Sequence, residues 1–349
     1  MNYQQVLEKI EAADPNVFAQ CKDNWNHVAK PLNSLGEFEF LTSKIGAAQG
    51  TDKPDIRKRR ALVFCADNGV VEEGVSQSDH SVTTAVACSL VRGSSNVNIF
   101  ANMAGADVEV YDVGMVDDLP DICTKKLIHG TANLSRRPAM TKEETIYAIE
   151  AGIDAAEKAK EDGCGILVIG EMGIGNTTSS TAVFSVMLGL DPEAVCGRGS
   201  GLSDDGLKKK IQAIQNGIQN NKPDPNDALD VLSKVGGADI AAMAGVILAG
   251  AALKIPVILD GLISGAAALI ADGIDPRTRD YMIPSHYSHE PGGSRILSYL
   301  DLHAPIDAGM ALGEGTGGVM LLPMLDMALA LYYGDHSFDN IGIEAYKEQ

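Results

Sequence analysis

The chain is short of positive charge. Of its 349 residues, 28 are Lys or Arg and 47 are Asp or Glu, a formal net charge of −19. That balance excludes a general binder of nucleic acid or of anionic membrane surfaces, since both need basic patches. Any anionic ligand has to be held by local dipoles and a few cations. Long hydrophobic runs are also missing, and no stretch of about 18 charge-free apolar residues suggests a membrane span. The opening "MNYQQVLEKIEAADPN" is acidic and amphipathic, unlike a signal or transit peptide. Six cysteines, at 21, 65, 88, 123, 164 and 196, form neither a CxxC pair nor a metal-ligand cluster. Most sit in apolar contexts such as "LVFCAD" and "DGCGILVIG", the setting of buried free thiols in a reducing cytoplasm. Internal repeats and low-complexity tracts are absent.

What is present is alternation. The short apolar runs "ALVFCAD" (61–67), "DVEVYDVG" (107–114), "GILVIG" (165–170) and "IPVILDG" (255–261) each end at Asp or Gly. Continuous runs of this length fit strands covered on both faces. Between them lie helical patterns, best seen in "TKEETIYAIEAGIDAAEKAKEDG". There Thr141 and Glu144 make a capping box, Ile146, Ile149 and Ile153 repeat at helical spacing, and Gly163 is the stop. The expected fold class is α/β: a Rossmann-like parallel sheet flanked by helices, over about residues 55–290. Residues 1–54 and 291–349 are expected to form a smaller helical domain from both termini, without clear strands beyond 291.

Ligands of open parallel sheets bind beyond the carboxyl ends of the strands. Attention therefore falls on Asp67-Asn68-Gly69, Asp112-Val113-Gly114, Gly170-Glu171 and Asp260-Gly261, although Asp and Gly are also ordinary turn residues. "GEMGIGNT" nearly matches the P-loop pattern, with Asn176 where Lys belongs. Such a loop suits a monophosphate at a helix N-terminus better than a triphosphate. It lacks the GxGxxG spacing of a dinucleotide fold, which sets a nicotinamide-dependent dehydrogenase aside. A second glycine loop, "CGRGSGLSDDGLKKK" (196–210), brings three lysines, usually a solvated face. His286 and His289 have a possible metal spacing, but no third ligand is evident.

Five stretches, in order, carry a resemblance over nearly the whole chain. They are "KPLNSLG" (30–36); "ADNGVVEEGVS" (66–76) with "VT" (82–83); "GEMGIGNTT" (170–178); "VLSKVGGADIAAMAGVILAGA" with "VILDG" (231–261); and "SHYSHEPG" through "LGEGTGG" (285–318). Together they resemble nicotinate-nucleotide–dimethylbenzimidazole phosphoribosyltransferases. The resemblance implies transfer of phosphoribose from nicotinate mononucleotide to an aromatic lower-ligand base of a cobamide, without cofactor or metal, by a dimer. It implies that Glu314 is the catalytic base. It places Glu171, Gly173, Asn176, Thr177, Lys210, Ser288 and Gly313 around the nucleotide and its phosphate, with Lys210 the inward lysine. Ser78, His80, Val86 and Leu312 fall to the acceptor base. The chemistry agrees, because attack on an anomeric carbon needs the acceptor's proton removed as the bond forms.

The acceptor loop departs from the family pattern S-P-x-x-V-T-x-x-Q. Here it reads "SDHSVTTAV": Asp79 replaces the Pro and Val86 the Gln, while Asn68 replaces the His of "DHG". Losing an amide that can bond a ring nitrogen points away from dimethylbenzimidazole, toward phenol or p-cresol. Relatives that activate phenols are heterodimers of homologous subunits, one of them catalytic. The expectation is the catalytic subunit; the rival is its silent partner.

Overall fold

The computed structural model describes residues 1–346. The apolar runs form strands β1 (Arg59–Ala66), β2 (Asp107–Gly114), β3 (Cys123–Thr124), β4 (Ile166–Met172), β5 (Val257–Leu259) and β6 (Met282–Pro284). They pair in the order β3-β2-β1-β4-β5-β6, every pair parallel. The order reverses direction between β1 and β4, where a crevice opens at the strands' carboxyl ends.

Period-two alternation assigns the two faces. Ala61, Val63, Cys65 and Val168 pack with residues of helices Glu37–Gln49, His80–Val91, Asn96–Ala104 and Thr316–Tyr332. Leu62, Phe64, Leu167 and Ile169 face the opposite core, which contains helices Lys142–Glu161 and Ala238–Leu253. The latter helix is buried almost throughout and apolar all round, as a helix enclosed by protein must be. Lys142–Glu161 starts at the expected capping box: Thr141 Oγ1 accepts the Glu144 N–H at 3.1 Å, and Glu144 Oε2 accepts the Thr141 N–H at 2.7 Å.

The two ends of the chain meet. Trp25 and Tyr332 lie with ring centroids 5.1 Å apart, and Val28 bridges Ser337. Helix Thr316–Tyr332 reaches further, burying Val319, Leu321, Leu322 and Leu325 against the sheet. One expectation is corrected: residues beyond 291 do contain a strand, β8 (Ile306–Met310). It pairs in parallel with β7 (His286–Ser288), outside the main sheet. Its sequence, IDAGM, is exposed at three central positions, so it has no apolar run to announce it. Four cysteines are buried, but Cys88 is intermediate and Cys123 exposed.

Candidate active site

The acids at the strand ends divide by role. Asp67 ties to the segment after β2, and Asp112 serves its own turn. Asp67 accepts the Val116 N–H at 2.8 Å; Asp112 accepts the Met115 N–H at 2.8 Å and pairs with Lys126 at 2.8 Å. Glu171 and Asp260, at the ends of β4 and β5, line an open cleft instead. Gly173, Asn176, Thr177, Ser288, Leu312, Gly313 and Glu314 line the same cleft. Two loops far apart in sequence therefore converge on one space.

Their convergence depends on missing side chains. A Cβ on Gly170 would stand 2.3 Å from the Glu314 carbonyl oxygen, and one on Gly313 would stand 2.8 Å from Glu171 Oε1. Glu314 itself has a φ of +61°, between Gly313 at +85° and Gly315 at +88°. For a residue with a Cβ that conformation costs on the order of 1–3 kcal/mol. The Glu314 carboxylate is buried and anchored. Oε1 accepts from Asn96 Nδ2 at 2.7 Å, and Oε2 from the Val97 N–H at 3.2 Å. Those donors open helix Asn96–Ala104. Each oxygen keeps further acceptor capacity for a ligand.

Glu171 sits among other acids. Asn176 Nδ2 donates to both Glu171 Oε2 and Asp239 Oδ2, the latter at 3.0 Å. Burial, then the charge of Asp239, with smaller pushes from Asp260 and Glu314, raises Glu171 to about 8; the Asn176 bond opposes this. Burial likewise raises Asp239 to about 6, against the Asn176 and Ile240 bonds. Asp260 is raised by burial against His286 and three backbone N–H groups. The site thus concentrates buried carboxyl groups that hold their protons more tightly than free ones.

Beside these acids, the same cleft also suits an anion. β4 leads through Gly173–Gly175 into helix Asn176–Leu188, whose first residues line the opening; the Asn176 and Thr178 N–H groups donate to the Gly173 and Gly175 carbonyls. Thr177 Oγ1 and the Gly197 carbonyl accept from Lys210 Nζ at 2.9 and 3.0 Å. Lys210 is fully buried, unlike Lys208 and Lys209. It stands behind Gly199, where a Cβ would lie 3.6 Å from its Nζ, and does not line the cleft. Burial lowers its pKa, opposed by Cys196 and Glu290.

The acceptor residues are only partly brought in. Leu312 lines the cleft and is half exposed, but from the segment after β1 the lining residues are Val75 and Ser76. Ser78 and His80 lie beyond them, with His80 exposed at the start of helix His80–Val91. Val86 packs against the apolar cluster that also takes Met172, itself a cleft residue. Asp79 caps that helix by accepting the Ser81 N–H at 3.0 Å, so it starts without the family's proline. Asn68 Oδ1 accepts from Ser179 Oγ at 2.7 Å.

Sequence reasoning missed Asp239 and Asn96 as partners of Asn176 and Glu314, and Arg198 as a cleft residue; His286 stood out only as half of a possible metal pair. Asp239 stood inside a quoted stretch, but nothing in the spacing joined it to Asn176. Asn96 reads as an ordinary helix start. His286 is buried in the cleft wall, its Nδ1 2.9 Å from Ser285 Oγ. Among the described residues, no group of three or more His, Cys, Asp or Glu is placed to hold a metal ion.

A phosphoribosyltransferase family profile matches residues 10–343. The nicotinate-nucleotide–dimethylbenzimidazole phosphoribosyltransferase of Clostridium acetobutylicum is 40% identical over 349 residues, covering 99% of each chain. That of Ruminiclostridium cellulolyticum is 41% identical with the same coverage. The crystal structure of CobT from Thermus thermophilus superposes with a TM-score of 0.90 at 39% identity, over 95% of this chain and 100% of that one. Sequence, fold and the convergence of the Glu171 and Glu314 loops agree, and the chain belongs to the nicotinate-nucleotide–dimethylbenzimidazole phosphoribosyltransferase family.

Proposed function

We propose that this chain moves phosphoribose from nicotinate mononucleotide to an aromatic base destined to be a cobamide lower ligand. The products are nicotinate and the base's α-riboside 5′-phosphate, with inversion at C1′. The observation that carries this is the single cleft shared by an anion-holding helix N-terminus and two strand-end glutamates. The phosphate lies at the Asn176–Leu188 end, held by backbone N–H groups and Thr177, with Lys210 behind. The ribose and its departing pyridinium lie beside Glu171, in the part of the cleft that Glu314 also lines. Nicotinate leaves as a neutral ring, so no acid is needed, and Glu314 takes the acceptor's proton. Glu314→Gln should collapse kcat with little change in nucleotide affinity. Turnover surviving within a few-fold would remove the general-base role.

For the acceptor, we infer a phenol. Val86 in place of an amide, with Met172 and Leu312 at the cleft, supports an apolar ring edge. A phenol has a pKa of about 10, so its proton has to leave as the new bond forms. Its proton passes to Glu314, directly or through one water, as the bond to C1′ forms. Rates with p-cresol and dimethylbenzimidazole, measured side by side, test this; exclusive use of dimethylbenzimidazole defeats it. The second reading, a silent subunit of a heterodimer, draws on the altered acceptor loop. Turnover by the purified chain alone separates the two.

A further inference from the structure

Asp260 borders the cleft, yet its carboxylate is turned into the fold. Oδ1 accepts the N–H groups of Gly317 at 2.8 Å and Gly318 at 3.2 Å, and Oδ2 accepts that of Gly315 at 3.2 Å. These groups belong to the start of helix Thr316–Tyr332, whose own cap residue, Gly315, has no side chain to satisfy them. A carboxylate from the end of β5 does so instead, which the exposed N–H groups and the helix dipole both favour.

Gly315 directly follows Glu314, and both are left-handed. A glutamate does not hold that conformation by its own preference. On its other side, the Glu314 carbonyl lies against Gly170. Gly317 is similarly enclosed, since a Cβ there would stand 2.2 Å from His286 Nδ1 and 2.9 Å from Asp260 Oδ1. The turn carrying Glu314 is thus pinned from below by β4 and from behind by Asp260.

We propose that Asp260 is a positioning residue: by gripping the N–H groups that follow Glu314, it fixes the left-handed turn that aims the Glu314 carboxylate into the cleft. Its oxygens are occupied by backbone, so it acts through Glu314 and not on substrate. The proposal rests on Glu314 taking the acceptor's proton.

The test is a double-variant cycle with Asp260→Asn and Glu314→Gln in the full chain. It reads kcat, nucleotide affinity by calorimetry, and thermal midpoint. Asp260→Asn should lower kcat on the order of 100-fold, the usual cost of misplacing a catalytic group by about 1 Å. Affinity for nicotinate mononucleotide should stay within about threefold. In the Glu314→Gln background the same change should cost less than about threefold, because the group it positions is already lost. If the two losses multiply in full, Asp260 does not act through Glu314 and the proposal falls, with the Glu314 reading intact. If Glu314→Gln alone turns over normally, the Glu314 reading falls first. Gly317→Ala displaces the same carboxylate from the other side and should reproduce the pattern. If neither variant folds, the contact holds the fold and not the glutamate, which also overturns the proposal.

Discussion

Glu314 is anchored as well as open to the cleft, since Asn96 and Val97 each hold one of its oxygens. A glutamine there keeps one acceptor but turns an NH₂ toward a donor. The loss expected in Glu314→Gln therefore includes some repositioning, which is why nucleotide affinity must be measured beside kcat. Lys210→Ala removes a buried charge-assisted donor worth about 1.5–3 kcal/mol. The apparent KM for the nucleotide should rise roughly 10- to 100-fold by steady-state kinetics, and an unchanged KM removes Lys210 from the phosphate site. Glu171 supplies a pH prediction. Its folded pKa of about 8 lies above that of a free carboxyl, so the folded chain keeps a proton that the unfolded chain releases. Its contribution to stability is present below the unfolded value of about 4.3 and is lost as pH rises toward 8. Glu171→Gln cannot ionise. Its thermal midpoint should fall less than the native chain's between about pH 5 and pH 8, and parallel curves would show that Glu171 does not titrate there.

At the scale of elements, helices Lys142–Glu161 and Ala238–Leu253 touch backbone to backbone. A Cβ on Gly152 would lie 1.8 Å from the Ala242 carbonyl oxygen, and one on Gly245 would lie 2.0 Å from that of Ile149. Helix propensity alone says that Gly→Ala stabilises by about 1 kcal/mol. Contact says the reverse, because overpacking costs about 1–3 kcal/mol and here the obstacle is backbone. Gly152→Ala should therefore lower stability in chemical denaturation; a gain would mean that the helices separate freely. The same contrast governs what the sequence revealed of the elements. β1, β2 and β4 were legible because strands covered on both faces need uninterrupted apolar runs. β8 was not, since three of its residues are exposed and it pairs only with three-residue β7.

Across the whole molecule, a charge of −19 repels an anionic nucleotide until it reaches the local N–H groups. Salt screens that repulsion, the Debye length falling from about 30 Å at 0.01 M to about 8 Å at 0.15 M. The KM for nicotinate mononucleotide should fall over that range at constant pH; a rise would mean that local cations dominate binding.

The sequence by itself determined the alternation of strands and helices, the parallel sheet, the capping of Lys142–Glu161, and the motif set that includes Glu171 and Glu314. These follow from local periodicity and turn chemistry, or from stretches in fixed order. Tertiary structure alone decided which strand-end acids face the cleft. Asp67 and Asp112 look like Asp260 in sequence, yet Asp67 holds the Val116 N–H and Asp112 the Met115 N–H and Lys126, whereas Asp260 borders the cleft and holds the turn that follows Glu314. It also decided that Lys210 stands behind Thr177, that Asn96 and Val97 hold Glu314, and that Asp239 shares Asn176 with Glu171. Those partners lie 33, 218, 217 and 63 residues apart. Separations of that size carry no periodic signal, and only the closing of the sheet brings such groups within hydrogen-bond reach.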